Sequence, residues 1–104
     1  MAADNHELAE LLRSIAGALR DTGANRYRIS AYDRAADAVD DAEKSLAAVY
    51  ESSGTDGLER VRGVGEGIAS VLAEYLDTGR SRLLDDLRAQ VDPVELFTDV
   101  PGIG

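Results

Sequence analysis

At 104 residues the chain is long enough for one domain built around a single core. Its hydrophobic content of 44% argues against disorder, and the absence of Cys excludes disulfides and thiolate metal sites and fits a reducing cytoplasm. A formal net charge of −9 and a pI near 4.4 exclude a basic footprint over the whole molecule, so any nucleic-acid contact must rest on a local patch.

Asp4 and Glu7 have the spacing of a capping box, and Leu8, Leu11, Leu12, Ile15 and Leu19 follow at helical intervals. A first helix is predicted from Asn5 to Asp21, stopped by Gly23. Asn25 caps a second, with Ile29, Tyr32, Ala35, Ala36 and Val39 inside; its alanines suit close helix contact. A third helix is expected over Ala42–Glu51, burying Leu46 and Val49 and ending before Ser52-Ser53-Gly54. A short turn around Leu58 then leads to a glycine-rich segment.

That segment, Val61-Arg62-Gly63-Val64-Gly65-Glu66-Gly67-Ile68-Ala69, carries the most information. Two glycines one residue apart permit a sharp turn with positive φ. The amides of Gly65, Glu66 and Gly67 would then lie unpaired at the start of the next helix. Such amides, with the positive end of the helix dipole, suit a phosphate oxygen. The helix that follows should bury Ile68, Leu72, Tyr75 and Leu76 and close at Gly79. Ser81 caps a last helix with Leu83, Leu84 and Leu87 inside, and Asp92-Pro93 breaks it. Val94 to Thr98 reads as a turn into Val100-Pro101-Gly102-Ile103-Gly104, a second hairpin with no helix after it, as expected of the front piece of a longer protein. No segment alternates in the manner of a strand. The predicted class is all-α, a compact bundle of about four or five short helices with a helix-hairpin-helix motif.

Three blocks in order give the chain a specific resemblance: Gly23-Ala24-Asn25-Arg26-Tyr27-Arg28-Ile29-Ser30-Ala31-Tyr32-Asp33-Arg34-Ala35-Ala36, the hairpin segment, and Tyr75-Leu76-Asp77-Thr78-Gly79. Together they resemble the N-terminal helix-hairpin-helix, or lyase-type, domain of family X (polymerase-beta-like) DNA polymerases. The resemblance spans 1–104 as a single domain, with the hairpin at about 58–78 and a truncated second hairpin beginning at 100–104. It implies a bundle that binds gapped or nicked DNA with low sequence specificity and holds the 5′ phosphate at the break. Arg28, Tyr32 and Arg34 fall on the phosphate pocket, and Tyr27 replaces a polar ring. Arg62, Gly63, Val64, Gly65, Glu66 and Gly67 fall on the backbone contact. The carbonyls of Val61 and Val64 fall where the family can hold a monovalent cation, sodium or potassium, though no cofactor is required. The lysine that forms a Schiff base with an abasic sugar in some members falls on Val71, and a neighbouring phosphate-binding lysine falls on Gly67. Valine cannot form an imine, so the expected fragment is non-catalytic, and its parent is a DNA polymerase or repair protein.

Other readings attach to the same residues. Lys44, the one lysine, matches no family lysine but could serve an abasic-site lyase as a different amine. A protein-interaction module that has lost DNA binding would suit the acidic surface. Arg26, Arg28 and Arg34 could be a solvated face paired with Asp33 and Asp37. Tyr32 and Tyr75 sit at core spacing. His6 at a helix start, and the carboxylates Asp37, Asp40, Asp41, Glu43, Asp85 and Asp86, read as ordinary polar surface. The surplus of carboxylates over lysine resembles proteins of a salt-rich cytoplasm. No stretch approaches the roughly 20 apolar residues of a membrane helix. A cytoplasmic monomer is expected.

Overall fold

The computed structural model describes residues 3–91, and within them the chain forms five helices and no strand. The turn expected over 94–98 and the second hairpin at 100–104 lie outside the described residues. α1 (Asn5–Asp21) starts where expected because the Asp4 side chain accepts from the Glu7 amide at 2.8 Å. Its leucines bury completely at Leu8, Leu12 and Leu19, making α1 the spine of the core. α2 (Arg26–Asp41), capped by Asn25, lies along α1 in the most extensive of the helix contacts. Ala35 and Ala36 are wholly buried there, so two backbones approach closely where larger side chains would hold them apart. Across the solvent side of this pair, Arg13 reaches Asp37 at 3.2 Å and Asp40 at 3.4 Å, and Arg20 pairs with Asp33.

α3 (Leu46–Glu59) departs from the sequence expectation at both ends. Ala42 is extended and caps α2, its amide bonding to Val39 O, so no helix begins there. The start falls instead at Ser45, whose hydroxyl accepts from the Ala48 amide at 3.3 Å. Asn5 fixes this start from across the molecule, donating to Lys44 O at 2.8 Å and accepting from the Leu46 amide at 2.9 Å. Nor does Ser52-Ser53-Gly54 end the helix. Gly54 takes φ 68°, ψ −160°, a bend open only to glycine, and helical structure resumes to Glu59. The expected turn around Leu58 is therefore a short helical stretch, with Leu58 fully buried, while Val49 is only half-buried.

α4 (Glu66–Thr78) packs on α3 and ends at Gly79, which adopts the left-handed conformation at φ 75°. It buries Ile68, Val71 and Leu72, with Tyr75 and Leu76 half-buried at its edge. Two phenols tie it down: Tyr75 donates to Glu7 of α1 at 2.6 Å, and Tyr50 of α3 donates to Asp77 at 2.9 Å. α5 (Arg82–Val91) is capped by Ser81, which accepts from the Leu84 amide, and closes against α1 through Leu84 and Leu87. No helix among the described residues is long and apolar enough to cross a membrane.

Candidate functional site

The stretch joining α3 to α4 is a tight turn with its apolar residue inward and its glycines outward. Val64 keeps 5% of its surface and anchors the turn in the core, whereas Gly63, Gly65, Glu66 and Gly67 are exposed. The Val64 amide donates to Val61 O at 3.0 Å and closes the turn. Positive φ occurs at Gly63 alone of the three hairpin glycines, at 89°. Gly65 is extended at φ −88°, ψ −179°, and Gly67 already belongs to α4. The sharp turn with positive φ is thus made by Gly63, and Gly65 begins the helix. A second constraint also acts at Gly63, where a Cβ would lie 3.0 Å from Ala38 Cβ and 3.9 Å from Arg34 O. The hairpin is thus seated directly against α2.

Its helix start is distinctive. Asp4, Asn25, Ser45 and Ser81 each place a side-chain oxygen on an amide of the helix they precede. Gly65 has no side chain to do so, and α4 has no side-chain cap. Its carbonyl accepts from Ala69, but among the described residues the amides of Gly65, Glu66 and Gly67 have no acceptor. Three exposed residues whose amides lack an acceptor among the described residues therefore lie at the positive end of the helix dipole, a position that suits an anionic oxygen. Glu66 is the one acidic side chain of this first turn; it is exposed, and its charge opposes that of an arriving anion.

The arginines divide into two groups. Arg13, Arg20, Arg80 and Arg82 are paired with carboxylates. Arg26, Arg28, Arg34, Arg60, Arg62 and Arg88 are exposed and have no ion-pair partner among the described residues; on α2, Asp33 and Asp37 are taken by Arg20 and Arg13. The expected pairing of α2's own arginines with Asp33 and Asp37 is not formed, while the arginines do lie on a solvent-exposed face. Arg28 and Tyr32, one turn apart, come together. Burial pushes the Tyr32 phenol up, and the Arg28 guanidinium pulls against that shift. Arg34 reaches the hairpin through its backbone. Arg26, two residues from Arg28, projects from a different side of α2.

Two residues stand out in the structure: Arg60, which residue patterns alone did not single out, and Tyr27, which the resemblance named beside the phosphate pocket. Arg60 caps α3 immediately before the hairpin, and the alternation Arg60-Val61-Arg62 was its signal. Tyr27 is 82% exposed between Arg26 and Arg28, the one large hydrophobic residue so exposed among those described. Val71 is buried in α4, a hydrocarbon side chain 8% exposed. Lys44 lies on the loop between α2 and α3. His6 sits 3.5 Å from Asp40 and 3.6 Å from Glu10 on the surface. No cluster of His, Cys or carboxylate side chains able to hold a metal occurs among the described residues.

An all-helical bundle in which a glycine turn presents an uncapped helix start defines a helix-hairpin-helix domain, and the chain belongs to that family, whose model matches residues 3–81. The chain is also similar to a part of a family X polymerase. Over 99 residues the chain is 31% identical to the DNA polymerase/3′-5′ exonuclease PolX of Bacillus subtilis (strain 168). That alignment takes in 94% of this chain and 16% of the relative, so the chain spans about a sixth of its length.

Proposed function

We propose that this domain grips the sugar-phosphate backbone of gapped or nicked DNA, as one part of a family X-like polymerase or repair protein. The observation that carries the reading is the uncapped start of α4, where the Gly65, Glu66 and Gly67 amides stand exposed without acceptors. A phosphate oxygen would supply the missing acceptor, with Arg62 beside it to offset the charge of Glu66. Arg28 and Tyr32, one turn apart, hold the 5′ phosphate at the break, and Arg34 adds charge from another side of α2, nearer the hairpin. Arg28 supplies charge and a planar fork of donors, and Tyr32 supplies a hydroxyl fixed by the burial of its ring. Tyr27 offers an open aromatic face between two arginines, suited to an unpaired base. Contacts of this kind position a protein without reading sequence, so specificity is low.

On the same reading, a sodium or potassium ion would be held by the carbonyls of Val61 and Val64 and would supply positive charge for a phosphate. Val64 O accepts no amide among the described residues, and Val61 O, bonded once to Val64 N, retains a second lone pair. The domain does no covalent chemistry of its own in this account, since Val71 occupies the position of the imine-forming lysine. It acts as a monomer in the cytoplasm.

Fluorescence titration with 5′-phosphorylated gapped DNA at low salt tests the proposal. Binding that weakens steeply with added salt, and weakens when the 5′ phosphate is removed, is expected. Absence of binding at high micromolar protein overturns it.

A further inference from the structure

A shallow depression runs along α3, lined by Lys44, Ser45, Ser52, Ser53 and Arg60 over a floor that includes Gly57. It carries a cation at each end and no carboxylate in its lining, on a molecule whose net charge is −9. Two other depressions differ in this respect: one includes Glu7, Glu10 and Asp85, and another Glu7 and Asp77. Neither Lys44 nor Arg60 has an ion-pair partner among the described residues, although exposed carboxylates flank both in sequence at Glu43 and Glu59.

Hydroxyl donors lie between the cations. Ser45 Oγ accepts from the Ala48 amide, which leaves its own proton to give. Ser52 Oγ lies 3.4 Å from Ser53 Oγ and is turned back to Val49 O. The floor depends on residue 57 being glycine, since a Cβ there would lie 2.6 Å from Ser53 Cβ and 3.0 Å from Val49 Cγ1. Arg60 joins this depression to the hairpin, because its amide caps α3 and the next residues, Val61 and Arg62, begin the turn.

We propose that the α3 depression between Lys44 and Arg60 is a second phosphate-binding subsite, taking the backbone of the DNA strand as it continues past the hairpin. The inference rests on the hairpin reading above and extends its footprint onto a different helix. Two cations and hydroxyl donors without a carboxylate among them form a groove complementary to a polyanion. The role given to Lys44 is ionic and needs its protonated form, unlike the neutral amine of a lyase.

The experiment compares the salt dependence of binding to 5′-phosphorylated gapped DNA for the unaltered protein, for Lys44→Gln with Arg60→Gln, and for Gly65→Asp. Both glutamine changes fall on exposed side chains without partners, and an unchanged thermal transition verifies their folding. The proposal expects the double variant to flatten the slope of log K against log salt by about 1.4 to 1.8, two phosphate contacts' worth. On DNA too short to reach past the hairpin it should bind as the unaltered protein does. A slope unchanged in the double variant, with Gly65→Asp impaired, overturns the subsite and leaves the hairpin reading standing. If the unaltered protein shows no salt-dependent binding at all, both fall. A flattened slope with Gly65→Asp unimpaired overturns the hairpin as the principal contact and leaves the groove in its place.

Discussion

Replacing Gly65 with Asp should make the protein more stable and worse at holding DNA. Gly65 has φ −88°, ψ −179°, a conformation any residue adopts, and a Cβ built there meets nothing within 4 Å. The new carboxylate would sit at the cap position and accept from the Gly67 or Ile68 amide. Exchanging glycine for a better capping residue is worth a few tenths of a kcal/mol, and a negative charge at the dipole's positive end adds about 0.3–1 kcal/mol. Urea denaturation should therefore show a gain of about 0.5–1 kcal/mol. The cost appears in binding. The carboxylate takes the amides a phosphate would use, and one charge-assisted hydrogen bond is worth about 1.5–3 kcal/mol, roughly a 10- to 150-fold loss in affinity. Gly65→Ala, which neither caps nor adds charge, separates this effect from the mere loss of glycine and should bind within a few-fold of the unaltered protein. Undiminished affinity in Gly65→Asp, measured by anisotropy on gapped DNA, would refute the reasoning. So would a loss of stability, which would mean the cap position is not vacant.

Gly63→Ala should destabilise by about 1–3 kcal/mol in urea, since φ 89° is strained for alanine and the Cβ crowds Ala38 at 3.0 Å. Gly67→Ala, in the first turn of α4 with open space around it, should leave stability equal or higher. Arg28→Gln should abolish most of the preference for a 5′-phosphorylated over an unphosphorylated gap while sparing the remaining affinity; equal loss on both substrates would count against a pocket for the terminal phosphate. Alkali should weaken the fold. The Tyr75 and Tyr50 phenols are raised above 10.0 chiefly by donating to Glu7 and Asp77, and Tyr32 chiefly by burial. A raised folded-state pKa gives stability that is complete below the unfolded value and lost as pH climbs through the folded one. Thermal melts should therefore be flat in this respect below about pH 10 and decline above it, and Tyr75→Phe with Tyr50→Phe should blunt the decline.

Much of the helical frame is legible in the residues because its signals are local. Asp4, Asn25 and Ser81 cap the helices they were expected to cap, and the leucine spacing of α1 is its buried face. The start of α3 was not legible for the opposite reason. Ala42, Glu43 and Lys44 are good helix formers, and the boundary at Ser45 is fixed by its own hydroxyl cap together with the reach of Asn5 from α1. Gly54 has the look of a terminator, yet a single positive-φ residue lets α3 bend and continue, carrying Leu58 into the core.

The glycine turn and its uncapped helix could be anticipated from spacing. Which arginines carry unneutralised charge could not. That division depends on Arg13 and Arg20 crossing from α1 to occupy Asp37, Asp40 and Asp33, a pairing between residues distant in sequence. Local charge on an acidic molecule emerges from these pairings, and net charge alone conceals it.

The most direct test of the account follows the backbone amides of Gly65, Glu66 and Gly67 by nuclear magnetic resonance as 5′-phosphorylated gapped DNA is added. The account predicts that these three signals move farthest downfield, as expected when a charged oxygen accepts from them, while the amides of α5 stay in place. Signals at the start of α4 that do not move, with the protein demonstrably bound to DNA, would contradict it.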